Sequence, residues 1–202
     1  MNVTQEKLSQ IDAAYRPGLK HLELEMNSRT LVVFSGAINV GKTTLAKRLE
    51  RALHAVRIEN DAIRRVIESL WPILTTEEVN ELKNQYVAFL LKSLLAGSKN
   101  QSWILDASID RSFDYVKRFA SEHSFRIVLI AFDLSPQEHK RRSHQSSKDY
   151  AGISDLTQRT VKDQENFLVH ILPDIVITDN TDIEADVIRT VRGLVKPRAS
   201  HA

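Results

Sequence analysis

The chain has 202 residues, 42% of them apolar, with only six Gly and five Pro; this suits one compact domain with a real core and excludes a low-complexity or linker-dominated chain. With 28 Lys and Arg against 26 Asp and Glu, global charge offers no grip on nucleic acid or lipid, so a partner of that kind needs a local basic patch. Cysteine is absent, which rules out disulfides, thiolate metal sites and cysteine nucleophiles together.

The opening stretch "MNVTQEKLSQIDAAYRPG" is polar and lacks the apolar centre of a signal peptide. Leu8 and Ile11 share one face of a predicted helix, and residues 1–25 read as a peripheral N-terminal extension. "TLVVFS" (30–35) is a buried strand, and "TTLAKRLERAL" (43–53) a helix with Leu45, Leu49 and Leu53 on one face. "AVRIE" (55–59) predicts the second strand, and "DAIRRVIESL" a helix stopped near Pro72. Thr75 with Glu78 three residues later is a capping box opening a helix to about Ala96. "SWILDAS" (102–108) predicts the third strand and "SFDYVKRFASEH" a helix; "RIVLIAFD" (126–133) is a continuous apolar run, as expected of a strand covered on both faces. A helix follows Pro136 and gives way to the basic stretch "KRRSHQSSKDYAG" (140–152). "LTQRTVKDQENFL" resumes a helix, "DIVITDN" (174–180) is the last strand and "DIEADVIRTVRGL" the closing helix.

Five strands separated by helices predict an α/β domain over residues 26–195, its parallel sheet covered on both faces. The tail 196–202 is expected to fray. No stretch is long and apolar enough for a membrane span, since "YVAFLLKSLLAG" is short and interrupted by Lys92. The expected location is the cytoplasm. Oligomeric state is not legible.

Between the first strand and its helix lies Gly36-Ala37-Ile38-Asn39-Val40-Gly41-Lys42-Thr43, followed by Thr44, a full match to G-x-x-x-x-G-K-[ST] in the context that pattern needs. Its glycines let successive N–H groups turn inward as an anion nest at a helix N-terminus. Lys42 brings a point charge to the β- and γ-phosphates, and the Thr43 hydroxyl is a ligand for Mg²⁺. Residues 36–44 therefore form the candidate ATP site, with ATP and Mg²⁺ as expected cofactors. Neither an N-K-x-D tetrapeptide nor a D-x-x-G after a strand is present, and "DQEN" (163–166) falls mid-helix, so a GTPase is not indicated.

The second strand ends in "IENDAIRR". Asp61 opens a helix at the C-terminal edge of the sheet, with Arg64 one turn on. A carboxylate there can take the proton of an acceptor hydroxyl, and the Arg can hold an anion on the acceptor. Equally, Asp61 can be an N-terminal cap and Arg64 a surface residue. Asp106 and Asp133 each end an apolar strand, as the acidic helper of a magnesium site does.

A loop of this kind, a second strand ending in "NDAIRR" and a third ending in "ILDAS" together resemble the small P-loop kinases of the zeta-toxin, polynucleotide-kinase-like and chloramphenicol-phosphotransferase-like group, over about residues 30–195. The resemblance implies a three-layer P-loop fold with strand order 2-3-1-4-5 and a helical lid over about residues 140–156. By analogy Asp61 is the acceptor-activating base and Arg64 an acceptor-binding residue. Asp106, rather than Asp133, becomes the acid acting on Mg²⁺ or the acceptor, with Ser108 and Arg111 lining the same cleft. The lid cations would be Arg141 and Arg142, with Lys148 behind them; where relatives often carry a second Arg four residues after the first, this chain has Gln145 and Ser146. The implied activity is transfer of the γ-phosphoryl group of MgATP to a hydroxyl of a small molecule, nucleotide or nucleic acid. A nucleoside monophosphate kinase and a nucleotide-binding regulatory or toxin-like module are the alternatives. Trp71, Tyr86 and Phe89 are candidate acceptor-pocket walls, although aromatics at helical spacing more often belong to the core.

Overall fold

The computed structural model describes residues 3–19, 29–97, 102–145 and 153–195. Its strands β1 (Thr30–Ser35), β2 (Val56–Glu59), β3 (Trp103–Ser108), β4 (Arg126–Phe132) and β5 (Ile175–Ile177) form one parallel sheet in the order β2-β3-β1-β4-β5, the order expected. The helices are α1 (Val3–Tyr15), α2 (Lys42–Leu53), α3 (Asn60–Leu70), α4 (Thr76–Gly97), α5 (Phe113–Glu122), α6 (Pro136–Gln145), α7 (Ile153–Leu168) and α8 (Arg189–Val195). Among the described residues no helix is long and apolar enough to cross a membrane.

The two-residue period of the strands sorts the apolar runs into two cores. Leu31 and Val33 of β1 join Ile63, Ile67, Tyr86 and Leu90 of α3 and α4 on one face. Val32 and Phe34 join Leu45 and Leu49 of α2 and Val187 and Val191 near the C-terminus on the other. Local signals behave as their chemistry predicts. The Glu78 N–H donates to Thr75 Oγ1 at 3.3 Å while the Thr75 N–H donates to Glu78 Oε2 at 2.8 Å, a reciprocal capping box. Tyr86 is fully buried, so it is core and not a pocket wall.

Two elements differ from the sequence reading. The single closing helix is broken into a π-helical turn (Ile183–Ile188) and α8. There the side chains of Asp182 and Asp186 bond the backbone N–H groups of Ala185 and Asp182, both at 3.0 Å, and so compete with regular helix pairing. The first segment is not peripheral. Ile11 is fully buried beside α3 and α4; Asp12 accepts from Tyr86 Oη at 3.0 Å, and Arg16 reaches Ser93 Oγ at 2.9 Å. Tyr15 Oη accepts the Glu59 N–H at 2.9 Å, covering backbone at the end of an edge strand that has a neighbour on one side only. The tail 196–202 lies outside the described residues.

Candidate active site

The phosphate loop leaves β1 and enters α2 through backbone that few side chains tolerate. Gly36 and Gly41 have φ of 154° and 109°, and Asn39 has φ 63°. A Cβ on Gly36 would stand 3.1 Å from both Phe132 Cβ and Val40 Cγ2, and one on Gly41 3.3 Å from Arg142 Nη1. Lys42 Nζ folds back to donate to the Gly36 carbonyl at 2.8 Å and to that of Ala37, which sets its charge inside the loop. The first intrahelical bond of α2 is Leu45 N–H to Gly41 O at 3.0 Å. The N–H groups of Lys42, Thr43 and Thr44 precede it, at the positive end of the helix dipole and with no side-chain cap from Gly41.

The first half of the loop is bonded to protein. Gly36 N–H donates to Asp110 Oδ2 at 3.3 Å, Ala37 N–H to Gln164 Oε1 at 3.1 Å and Ile38 N–H to Thr160 Oγ1 at 3.2 Å. Carbonyls are taken as well: His139 Nε2 donates to Ile38 O at 2.7 Å and Arg142 Nη1 to Val40 O at 2.6 Å. Gln164 also donates from Nε2 to Phe132 O at 2.6 Å, tying the loop to the end of β4. The amides of residues 36–38 thus shape the loop, and those of residues 42–44 stand at the open helix end.

Behind the loop, Thr43 Oγ1 donates to Asp106 Oδ1 at 3.0 Å. Asp133 is exposed at the end of β4 and donates its N–H to Ile177 O; Ser135, not Asp133, caps α6 by accepting the Glu138 N–H at 3.2 Å. Of the two acids, the fold brings Asp106 against Thr43. Its side chain is 1% exposed, and its second oxygen accepts from Arg57 Nη1 at 2.7 Å. Burial pushes the Asp106 carboxyl above its ordinary value, with Arg57 and Thr43 opposing in part. Arg57 also bonds Glu59 at 2.7 Å and Glu50 at 3.3 Å, and Arg65 bonds the other oxygen of Glu59 at 2.9 Å. Burial would raise Glu59, but these two guanidinium groups hold it below the carboxylate range.

A hydroxyl backed by a carboxylate suits a hard, oxygen-seeking cation. Among the described residues no group of three or more His, Cys, Asp or Glu is placed to hold a metal; the oxygen donors brought together at the loop are the Thr43 hydroxyl and the Asp106 carboxylate.

At the C-terminal end of β2, Glu59 pairs in register with Asp106 of β3, which puts Asp61 two residues beyond, exposed in the first turn of α3. Arg64 bonds Glu68 one turn on at 2.7 Å, both side chains well exposed. Half-buried Lys83 of α4 lies in electrostatic reach of both: burial, then Arg64, push its pKa down, and Asp61 opposes.

The lid was expected over about residues 140–156, of which the structure describes 140–145 and 153–156. Arg141 and Arg142 lie on α6, whose helix continues to Gln145. Arg141 makes a two-pronged bond to Glu138, both contacts at 2.6 Å, whereas Arg142 bonds Glu138 at 2.7 Å and turns to the loop carbonyl of Val40. Residues 146–152, Lys148 among them, lie outside the described residues, and α7 begins at Ile153. Ser108 donates to Asp110 Oδ2 at 2.6 Å, and Arg111 pairs with Asp163 at 2.7 Å.

Sequence reasoning missed Arg57, Asp110, His139, Thr160 and Gln164. For Arg57 a signal existed, a cation inside the apolar strand "AVRIE". Asp163 and Gln164 stand in "DQEN", which was weighed only as a base-reading motif. For Thr160 and His139 nothing local distinguishes them from surface helix residues.

The AAA domain family profile matches residues 31–169, whereas no curated protein matches by sequence. Among solved structures, a chain from the PezAT chromosomal toxin–antitoxin system of Streptococcus pneumoniae superposes with TM-score 0.58 at 11% identity, covering 100% of this chain and 92% of its own. A gluconokinase from Sinorhizobium meliloti gives 0.55 at 14%, covering 85% and 93%. The APS kinase CysC of Mycobacterium tuberculosis, in complex with AMPPNP and APS, gives 0.54 at 14%, covering 83% and 98%. At such identities these likenesses establish the fold alone. With the phosphate loop and the profile lying over the same strands and helices, the chain belongs to the AAA domain family, as one of its P-loop kinase-fold members.

Proposed function

We propose that the protein transfers the γ-phosphoryl group of MgATP to a hydroxyl of a small-molecule, nucleotide or nucleic-acid acceptor. The observation that carries this reading is the Thr43–Asp106 hydrogen bond behind the loop, with Asp61 two residues past the register partner of Asp106. Lys42 and the N–H groups of residues 42–44 bind the phosphates, and their fixed dipoles stabilise charge on the transferred group without reorganising. Thr43 and Asp106 hold Mg²⁺, which, when bound, supplies neutralisation of phosphate charge. Asp61 takes the acceptor proton. Arg64, whose exposed pairing with Glu68 is weak and easily exchanged, binds an anionic part of the acceptor. Arg142 is positioned by Glu138 and the loop to reach the phosphates, with Arg141 beside it.

The test is a transfer screen with [γ-³²P]ATP over nucleosides, sugars, antibiotics and 5′-hydroxyl oligonucleotides. Label on an acceptor, lost in Lys42→Ala, is the expected result. Label only on nucleoside monophosphates moves the protein to that kinase class. ATP binding with no labelled product from any acceptor favours a nucleotide-binding regulatory module.

A further inference from the structure

We propose that Arg57 is the positioning residue of the Thr43–Asp106 pair, setting the phosphate loop's hydroxyl for a nucleotide-borne divalent cation; this rests on the reading of the site given above. Asp106 is almost fully buried, and a carboxylate torsion is intrinsically soft. Both oxygens must be engaged for the group to hold one orientation, and they are: Thr43 on Oδ1 at 3.0 Å and Arg57 on Oδ2 at 2.7 Å. Arg57 is itself held from two elements. Glu59 of β2 takes Nη1 at 2.7 Å, and Glu50 of α2 takes Nε at 3.3 Å. The planar guanidinium fork converts those two anchors into one direction for Asp106.

Charge argues against a purely structural role. Three mostly buried carboxylates around one guanidinium are a costly way to fill space, since apolar residues of similar volume often serve stability as well or better. The network ends on the one hydroxyl in the loop suited to a cation. With its hydrogen directed at Asp106, Thr43 Oγ1 keeps its lone pairs for a ligand on the other side. The bonds of Arg57 run to Glu50, Glu59 and Asp106, so its effect is expected on the metal-dependent part of nucleotide binding.

Titration of the full chain with a fluorescent ATP analogue, in Mg²⁺ and separately in EDTA, isolates that part. In Arg57→Lys the affinity gained from Mg²⁺ should fall about tenfold, the usual scale for losing a residue that orients a metal ligand, while affinity in EDTA stays within about twofold. An unchanged gain from Mg²⁺, or an equal loss in both buffers, overturns the proposal. So does a wild type with no gain from Mg²⁺. If Arg57→Lys lacks a cooperative melt, Glu50→Gln loosens the longer anchor, and a loss of about two- to threefold in the same gain is expected; no loss overturns the assignment. A wild type that gains affinity from Mg²⁺ yet labels no acceptor defeats the phosphotransferase reading and leaves the role of Arg57 standing.

Discussion

The phosphate loop and the proposed acceptor edge around Asp61 and Arg64 lie at the same end of the sheet but are built differently. The loop's amides and carbonyls are gripped by α6 through His139 and Arg142, by α7 through Thr160 and Gln164, and by Asp110 after β3. Lys42, Thr43 and Asp106 already have protein partners. At the acceptor edge, Asp61 is exposed and Arg64 shares an exposed pair with Glu68. The contrast has a chemical logic. On the proposed function, the loop always holds the same chain of phosphates in one bound conformation, so its site gains from being rigid before binding. An acceptor completes its own site, and groups kept near water can exchange weak partners for it.

The comparison breaks most visibly at Lys42. Replacing it by Ala removes the loop's point charge together with its bonds to the Gly36 and Ala37 carbonyls. Phosphoryl transfer should fall about a thousandfold, with the thermal midpoint nearly unchanged; single-turnover assays beside thermal melts check both. On the acceptor side, Asp61→Asn should lower kcat by about a hundredfold or more if Asp61 is the base, leaving the Kd for MgATP within error of the wild type. Turnover that survives in Asp61→Asn would point to an acceptor phosphate already ionised, as in a nucleoside monophosphate kinase.

The unequal construction also explains what could be read in advance. The helix after each strand and the loop were legible because each depends on local period or on a contiguous motif, and the strand order followed only from the resemblance those motifs carry. Arg57 was printed inside a strand whose partners, Glu50 and Asp106, come from separate parts of the chain; only the β2–β3 register brings it to Asp106. Gln164 stands 127 residues after the amide it holds, and no spacing rule spans that distance. α1 read as peripheral because its few apolar residues give a weak stripe, while much of its anchoring is polar: Asp12, Tyr15 and Arg16. Arg64 is the opposite case. Its sequence position was clear, and the fold adds an exposed pair with Glu68 and the neighbouring charge of Lys83.

Gln164→Leu tests whether the rigid side needs its distant clamp. The change strands the Ala37 N–H and the Phe132 carbonyl, which Gln164 bridges while itself buried. Stability should drop by about 1–3 kcal/mol in chemical denaturation, the cost of leaving buried polar groups unpaired. KM for ATP should rise about tenfold, with the acceptor KM unchanged, because a loosened loop must be ordered by the nucleotide. Equal rises in both KM values would show the loop and acceptor edge to be coupled.

The smallest effect belongs to Tyr15→Phe, where α1 meets the end of β2. The substitution leaves the packing of Tyr15 against Tyr86 and removes only the acceptor for the Glu59 N–H, so a stability loss of about 1 kcal/mol is expected near neutral pH. Burial pushes the Tyr15 hydroxyl up to about 12 from its ordinary 10, and this gives the variant a signature in alkali. Between those values the folded protein keeps a proton that the unfolded chain has lost. The stabilisation is therefore complete below pH 10 and is lost as pH rises toward 12. Tyr86, raised in the same direction by burial and by Asp12, keeps part of that slope in the variant. Denaturation midpoints taken from pH 9 to 11.5 should accordingly fall less steeply in Tyr15→Phe than in the wild type, and the two stability curves should converge at the alkaline end. Parallel curves would mean that the Tyr15 hydroxyl is wet.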